Sequence, residues 1–227
     1  MRAEQLPLDL ARRPALGRAD FVVTQANATA LALIEAPRWP GGRLALTGPP
    51  ACGKTHLVHV WAAATDAVVV QAADLTRYDI ATLAGATRVA VEDVPGIAGQ
   101  RGAEAALFHL YNRLSSMGGQ LLVTGGDAPA RWGIALPDLA SRLSAMTVAT
   151  IQAPDDALLG ALLEKQLNDQ KLSADLSTLV YLVNRMPRTA EAARDIAVEL
   201  NRLSYARRRA VSRDMAREAL ARVGVSP

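Results

Sequence analysis

The stretch GPPACGKT, residues 48 to 55, sets two glycines five positions apart and follows the second with a lysine and a threonine. This spacing fits the pattern G-x-x-x-x-G-K-[ST], which grips phosphate. Two glycines let the backbone curl until successive N–H groups converge on anionic oxygens, and a helix starting just behind adds its positive end. The Lys54 ammonium can reach terminal phosphates, while the Thr55 hydroxyl can ligate Mg²⁺. The predicted cradle comprises Gly48, Pro49, Pro50, Ala51, Cys52, Gly53, Lys54, Thr55 and His56. Cys52 reads as a small packing side chain without redox chemistry.

A phosphate cradle needs an acid nearby to complete its chemistry. RVAVED, residues 88 to 93, ends a β-prone run with two carboxylates, Glu92 and Asp93. One can hold the Mg²⁺ shell, assigned to Glu92 with Thr55, while Asp93 orients or activates water, because a single carboxylate does not easily do both. His56, His59 and His109 are the three histidines, and their spacing supplies no full metal ligand set.

These residues need elements to hold them. Short Val- and Leu-rich runs at 43–48, 67–71, 88–93, 120–125 and 145–151 read as buried strands. Between them, 56–64 and 103–115 carry helical spacing, the latter through Leu107, Leu110, Tyr111 and Leu114. Strands alternating with helices predict a parallel, doubly wound α/β sheet with the cradle after its first strand. Beyond Ala153 the strand signal stops, and four helices are expected, opened near Asp155, before Leu176, near Thr189 and at Ser212. The expected division is a tail at 1–20, an α/β nucleotide-binding domain at 21–153 and a helical lid at 154–227.

Composition narrows the class. The 227 residues are 50% hydrophobic and 21% charged, with a formal charge of +3; this is ordinary globular composition. No apolar run is long enough for a membrane span or a signal peptide, and Cys52, the one cysteine, cannot form an intramolecular disulfide. These features set an expectation of a cytoplasmic protein without a membrane partner. Arg202, Arg207, Arg208, Arg209, Arg213 and Arg217 crowd the last quarter and read first as a solvated face, second as a phosphate contact. At the other end, QLPLDL alternates Leu6, Leu8 and Leu10 behind Gln5, a period of two that suits an extended segment with one apolar face. It suits either an edge strand on its own domain or a peptide for a partner's groove.

FVV at 21–23, GKTHL at 53–57, the acid pair, LYNRL at 110–114 and LPDLASRL at 136–143 together resemble the Hda family, the DnaA-related AAA+ regulators that inactivate the initiator DnaA. The likeness spans almost the whole chain. It implies a five-stranded parallel sheet with a helical lid and bound ADP or ATP with Mg²⁺. It also implies assembly with a neighbouring AAA+ subunit, DnaA or a second copy in a homo-oligomer. By the same resemblance, Arg142 matches an arginine finger acting in trans, and Arg188 matches a sensor arginine that contacts nucleotide in its own subunit. QLPLDL is similar to the motif with which such proteins dock on the β sliding clamp of the replicative polymerase, through Gln5, Leu6, Leu8 and Leu10.

Two departures bear on turnover: Glu92 stands where the family usually has aspartate, and Gly125 and Gly126 stand where relatives place a polar sensor, leaving Thr124 or Asp127 as substitutes. The resemblance therefore implies a negative regulator of replication initiation with slow or absent intrinsic ATPase activity, associated with the nucleoid through the clamp. The same reading sets the expectation of no direct sequence-specific DNA reading. The alternative is a self-contained ATP-dependent initiator or helicase loader that binds DNA through its C-terminal arginines.

Overall fold

A computed structural model of the chain describes residues 16–224. Gln5, Leu6, Leu8 and Leu10 lie outside the described residues, so the reading of QLPLDL is carried by sequence alone. Strands β1 (Arg43–Thr47), β2 (Val68–Gln71), β3 (Arg88–Glu92), β4 (Gln120–Gly125) and β5 (Thr147–Thr150) form one parallel sheet in the order β2-β3-β4-β1-β5. Every residue of β1 is buried, as a central strand covered on both faces requires. The edge strands β2 and β5 are more exposed, with Val68 and Val148 open to solvent. The sheet matches the expected five strands, each within a few residues of its predicted limits. The predicted first strand loses Gly48, which turns away to begin the phosphate loop.

Helices α1 (Ala28–Glu35), α2 (Lys54–Thr65), α3 (Ile80–Gly85), α4 (Arg101–Ser116) and α5 (Pro137–Ser144) flank the sheet. Side chains alternate across each strand, so the two faces build separate cores. Leu44, Leu46 and Leu122 pack with Ile34, Leu57 and Trp61 on the side of α1 and α2. Ala45, Leu121 and Val123 pack with Leu107, Leu110, Leu139 and Leu143 on the side of α4 and α5.

Helices α6 (Asp156–Asp169), α7 (Leu176–Val183), α8 (Ala190–Arg207) and α9 (Arg213–Arg222) follow. Each opens on a side chain that accepts from a first-turn N–H: Asp155 from Leu158, Asp175 from Thr178, Thr189 from Ala192 and Ser212 from Met215. Their core, with Leu159, Leu163, Leu182, Ile196, Leu200 and Leu220, draws only on residues after 158. Lys165 on α6 reaches back to Asp20 at 2.9 Å, tying the bundle to the segment before α1. That hydrogen bond, more than any other effect, holds the Asp20 carboxyl below its usual range and raises the Lys165 ammonium.

The C-terminal arginines divide. Arg202 pairs with Glu199, Arg207 with Glu218, Arg217 with Asp214, and Arg222 with both glutamates. Arg208, Arg209 and Arg213 have no carboxylate within 4 Å among the described residues.

Candidate nucleotide site and arginine face

The phosphate loop hangs between β1 and α2 and is fastened where the Gly48 N–H donates to the Gly126 carbonyl beyond β4, at 3.2 Å. A Cβ on Gly48 would stand 2.5 Å from the Ile151 carbonyl oxygen and 2.7 Å from Cys52 Sγ, so only glycine fits. Ala51 at φ +56° and Gly53 at φ +104° complete the curl, and Gly53 caps α2. The Lys54 ammonium donates to the carbonyls of Gly48 and Pro49, each at 2.8 Å, so a single positive charge spans the loop. Pro49, Pro50 and Thr55 are exposed beside it, whereas Cys52 is buried and burial pushes its thiol pKa up. His56 stands one residue beyond Thr55, with Nε2 3.0 Å from the Gly17 carbonyl and its ring edge-on to Phe21.

The acid pair is split by its surroundings. Glu92, the last residue of β3, is buried and accepts a hydrogen bond from Gln71 Nε2 at 3.2 Å. Asp93 leaves the strand in a left-handed conformation, is exposed, and donates its N–H to Thr124 Oγ1 at 3.0 Å. Strand β4 lies between β3 and β1, so Thr124 and Gly125 sit between the acids and the phosphate loop. A Cβ on Gly125 would fall 2.5 Å to 2.7 Å from the Trp132 indole, which is buried and donates from Nε1 to the Asp127 carbonyl. Trp132 therefore fills the space a side chain at 125 would need. Of the two residues expected from the sequence to stand in for a sensor, Thr124 lies at the acid pair, while Asp127 turns an exposed carboxylate toward Arg131.

These residues fit a nucleoside phosphate: a loop closed to any Cβ at 48, a helix N-terminus behind it and an ammonium across it. Among the described residues no group of three or more His, Cys, Asp or Glu could hold a metal ion. Thr55 and Glu92 would hold Mg²⁺ only together with phosphate oxygens, which share its positive charge.

The two arginines singled out in the sequence are held differently. Arg188, just before the α8 cap, donates from Nε to the Pro154 carbonyl at 3.0 Å and pairs with Asp156 at 2.7 Å, at the junction between the sheet and the helical bundle. Arg142, in the last turn of α5, is exposed and lays its guanidinium over Phe108 and Tyr111 of α4, 5.2 Å and 5.3 Å from the ring centroids. Among the described residues no carboxylate lies within 4 Å of it. Both rings belong to α4.

Domain III of the replication initiation protein DnaA from Thermotoga maritima superposes on this chain with a TM-score of 0.77, covering 95% of it and 99% of that chain at 19% identity. The fold is that of a DnaA-like AAA+ module. AMPPCP-bound DnaA from Aquifex aeolicus follows at a TM-score of 0.70 and 16% identity, over 85% of this chain and 66% of that one, slightly under two thirds of the relative's length. The FIGL-1 AAA domain in complex with ADP gives 0.62 at 16% identity, over 83% and 73%. No protein-family model matches the sequence.

Within this AAA+ frame the sequence reading missed Glu104. It lies on the buried face of α4, 1% exposed, and accepts three backbone N–H donors: Gly99 at 2.7 Å and Ala135 at 2.9 Å through Oε1, and Leu136 at 2.7 Å through Oε2. Burial acts to raise its pKa, but the three donors outweigh it and hold the carboxyl below its usual range. The available signal was a carboxylate inside an apolar stripe, one turn before Leu107 and two before Tyr111. Arg43 was missed in the same way. Buried at the start of β1, it donates to the carbonyls of Gly42, Gly119 and Tyr111 and to Ser115 Oγ, and lies 4.9 Å from the Tyr111 ring centroid.

Proposed function

We propose that this protein is a nucleotide-bound AAA+ regulator that lowers replication initiation by promoting hydrolysis of ATP held by a DnaA-type partner. Gly48 to Thr55 would hold ADP or ATP, Thr55 and Glu92 its Mg²⁺, and Arg188 the nucleotide from the lid side. The bound nucleotide supplies anionic charge that draws Lys54 and the lid together. Support comes from the DnaA-like fold and from the fit of the loop to a phosphate. It comes also from the solved relatives, a DnaA carrying AMPPCP and an AAA domain carrying ADP.

The observation that carries the trans-acting part is Arg142. Its guanidinium is exposed, rests on two aromatic rings and, among the described residues, meets no carboxylate within 4 Å. Stacking over a ring quadrupole holds a cation in place without neutralising it. Presented to a neighbour's γ-phosphate, such a charge opposes the negative charge that develops as the phosphoryl group transfers. An arginine finger is typically worth roughly 10³ to 10⁵ in rate, about 4 to 7 kcal/mol. Gln5, Leu6, Leu8 and Leu10 would tether the protein to a DNA-loaded β clamp, raising its local concentration near DnaA.

The other reading, a self-contained initiator or helicase loader, needs DNA contact through the C-terminal arginines. Three of those six, Arg202, Arg207 and Arg217, already face carboxylates within 4 Å, which leaves that surface less charge to offer.

Phosphate release from DnaA–ATP with DNA-loaded clamp tests the proposal. The intact chain should accelerate release, and Arg142→Ala should lose that acceleration by roughly 10³-fold. Gln5→Ala/Leu6→Ala should lose it at low protein concentration and regain it as concentration rises, because tethering acts by mass action. Equal activity of Arg142→Ala and the intact chain would overturn the trans-acting role. DNA-stimulated turnover without DnaA would favour the loader.

A further inference from the structure

Three side chains on one face of α4 hold the helix that carries Arg142. Glu104, Phe108 and Tyr111 follow at i, i+4 and i+7, the spacing that places residues on one helix face. Glu104 takes the N–H of Leu136, the N-cap of α5, and that of Ala135 before it. One and two turns along, Phe108 and Tyr111 receive the guanidinium from the far end of α5. Helix α5 is only eight residues long, about 12 Å. Fixing both of its ends on α4 leaves it little freedom to rotate or slide.

Glu104 has a second attachment. Its Oε1 also accepts the Gly99 N–H, at the close of the short turn that follows Glu92 and Asp93. A single buried carboxylate therefore joins the loop that leaves the acid pair to the loop that enters α5. We infer that Glu104 is a positioning residue that holds α5, and with it Arg142, in register with the loop that follows the acid pair. This inference rests on the trans-acting reading of Arg142.

Glu104→Gln makes a sharp probe because it is isosteric. One amide oxygen can still take the Gly99 and Ala135 donors, but the NH₂ then faces the Leu136 N–H, donor against donor. Backbone amide exchange over 134–136, the residues that enter α5, should speed up at least tenfold. Exchange in α6 to α9, and ADP affinity, should stay within about twofold of the intact chain. In the DnaA–ATP assay the maximal acceleration at saturating protein should fall at least tenfold, while the half-saturating concentration stays within about threefold. A purely structural role would lower the folded fraction and move the half-saturating concentration instead. Phe108→Leu, which keeps apolar volume and removes the ring, should lower the maximal acceleration more mildly without speeding exchange over 134–136. Glu104→Asp, which keeps the charge but draws the carboxylate back by one methylene, should speed that exchange too, and it decides the matter if Glu104→Gln does not fold.

Unchanged exchange over 134–136 in the folded Glu104 variants, or full maximal acceleration in them while Arg142→Ala is impaired, overturns the inference. If Arg142→Ala is itself fully active, the proposed function fails. The exchange measurement then still decides whether Glu104 holds α5.

Discussion

Trp132 and Gly125 show how a single side chain constrains the chemistry available at the tip of β4. With the indole 2.5 Å to 2.7 Å from where a Cβ at 125 would sit, a polar sensor cannot be restored there by one substitution. Gly125→Asn should destabilise the fold by about 1–3 kcal/mol or more, because overpacking a filled core forces strain on its neighbours. Trp132→Ala opens a cavity of its own and should cost about 3–5 kcal/mol. The double variant should be more stable than the sum of the two losses predicts, since the asparagine occupies space the indole vacated. Urea unfolding of the four proteins measures the coupling, and strict additivity would mean that the two sites do not share that space. Thr124, whose hydroxyl already accepts the Asp93 N–H, keeps one polar group beside the acids in every case.

At the scale of elements, the four helices after Pro154 were legible by their apolar stripes, with start residues near Asp155, Thr189 and Ser212 marking three of them, while the Asp175 cap of α7 emerged only in the structure. Thr189 is the cap with the most bearing on the site, since it directly follows Arg188 and opens α8 by accepting the Ala192 N–H at 3.1 Å. Thr189→Ala should cost about 1 kcal/mol of stability and fray the first turn of α8. Thermal unfolding of the two proteins checks the magnitude, and faster exchange at the first amides of α8 checks the place. The strands were legible for a similar reason, as short Val- and Leu-rich runs between turn signals. Helices α1, α3 and α5 were not picked out. Each is six to eight residues long, barely two turns, and helices that short are set by packing on the sheet more than by their own pattern. Glu104 escaped because its meaning lies in three backbone groups from segments that sequence spacing does not relate, and Trp132 because its partner is a glycine with no side chain to announce it. The candidate phosphate loop is the opposite case, since the glycines, lysine and threonine of its pattern all fall between residues 48 and 55.

For the whole molecule, the proposed nucleotide site lies between two separately cored parts joined by few polar contacts. Lys165 holds Asp20, and Arg188 holds the Pro154 carbonyl and Asp156, which themselves belong to the junction. A ligand gripped from both sides would stabilise both parts together, by RT ln(1 + [L]/Kd), or about 2.7 kcal/mol at one hundred times Kd. For a chain of this length that is a rise in Tm of roughly 5–10 °C, given about 2–4 °C per kcal/mol for 150–250 residues. Saturating ADP should produce this shift in the intact chain. Lys54→Ala should abolish it with a smaller effect on the ligand-free Tm, because the ammonium holds only its own loop, through the part-buried Gly48 carbonyl, the exposed Pro49 carbonyl and Cys52 Sγ at 4.0 Å. Arg188→Ala should keep a smaller shift, with the phosphate loop intact and the lid contact gone. Differential scanning calorimetry over an ADP titration separates the three. A full shift in Lys54→Ala would remove the phosphate loop from the proposed site, and a full shift in Arg188→Ala would mean that the helical bundle takes no part in holding the ligand.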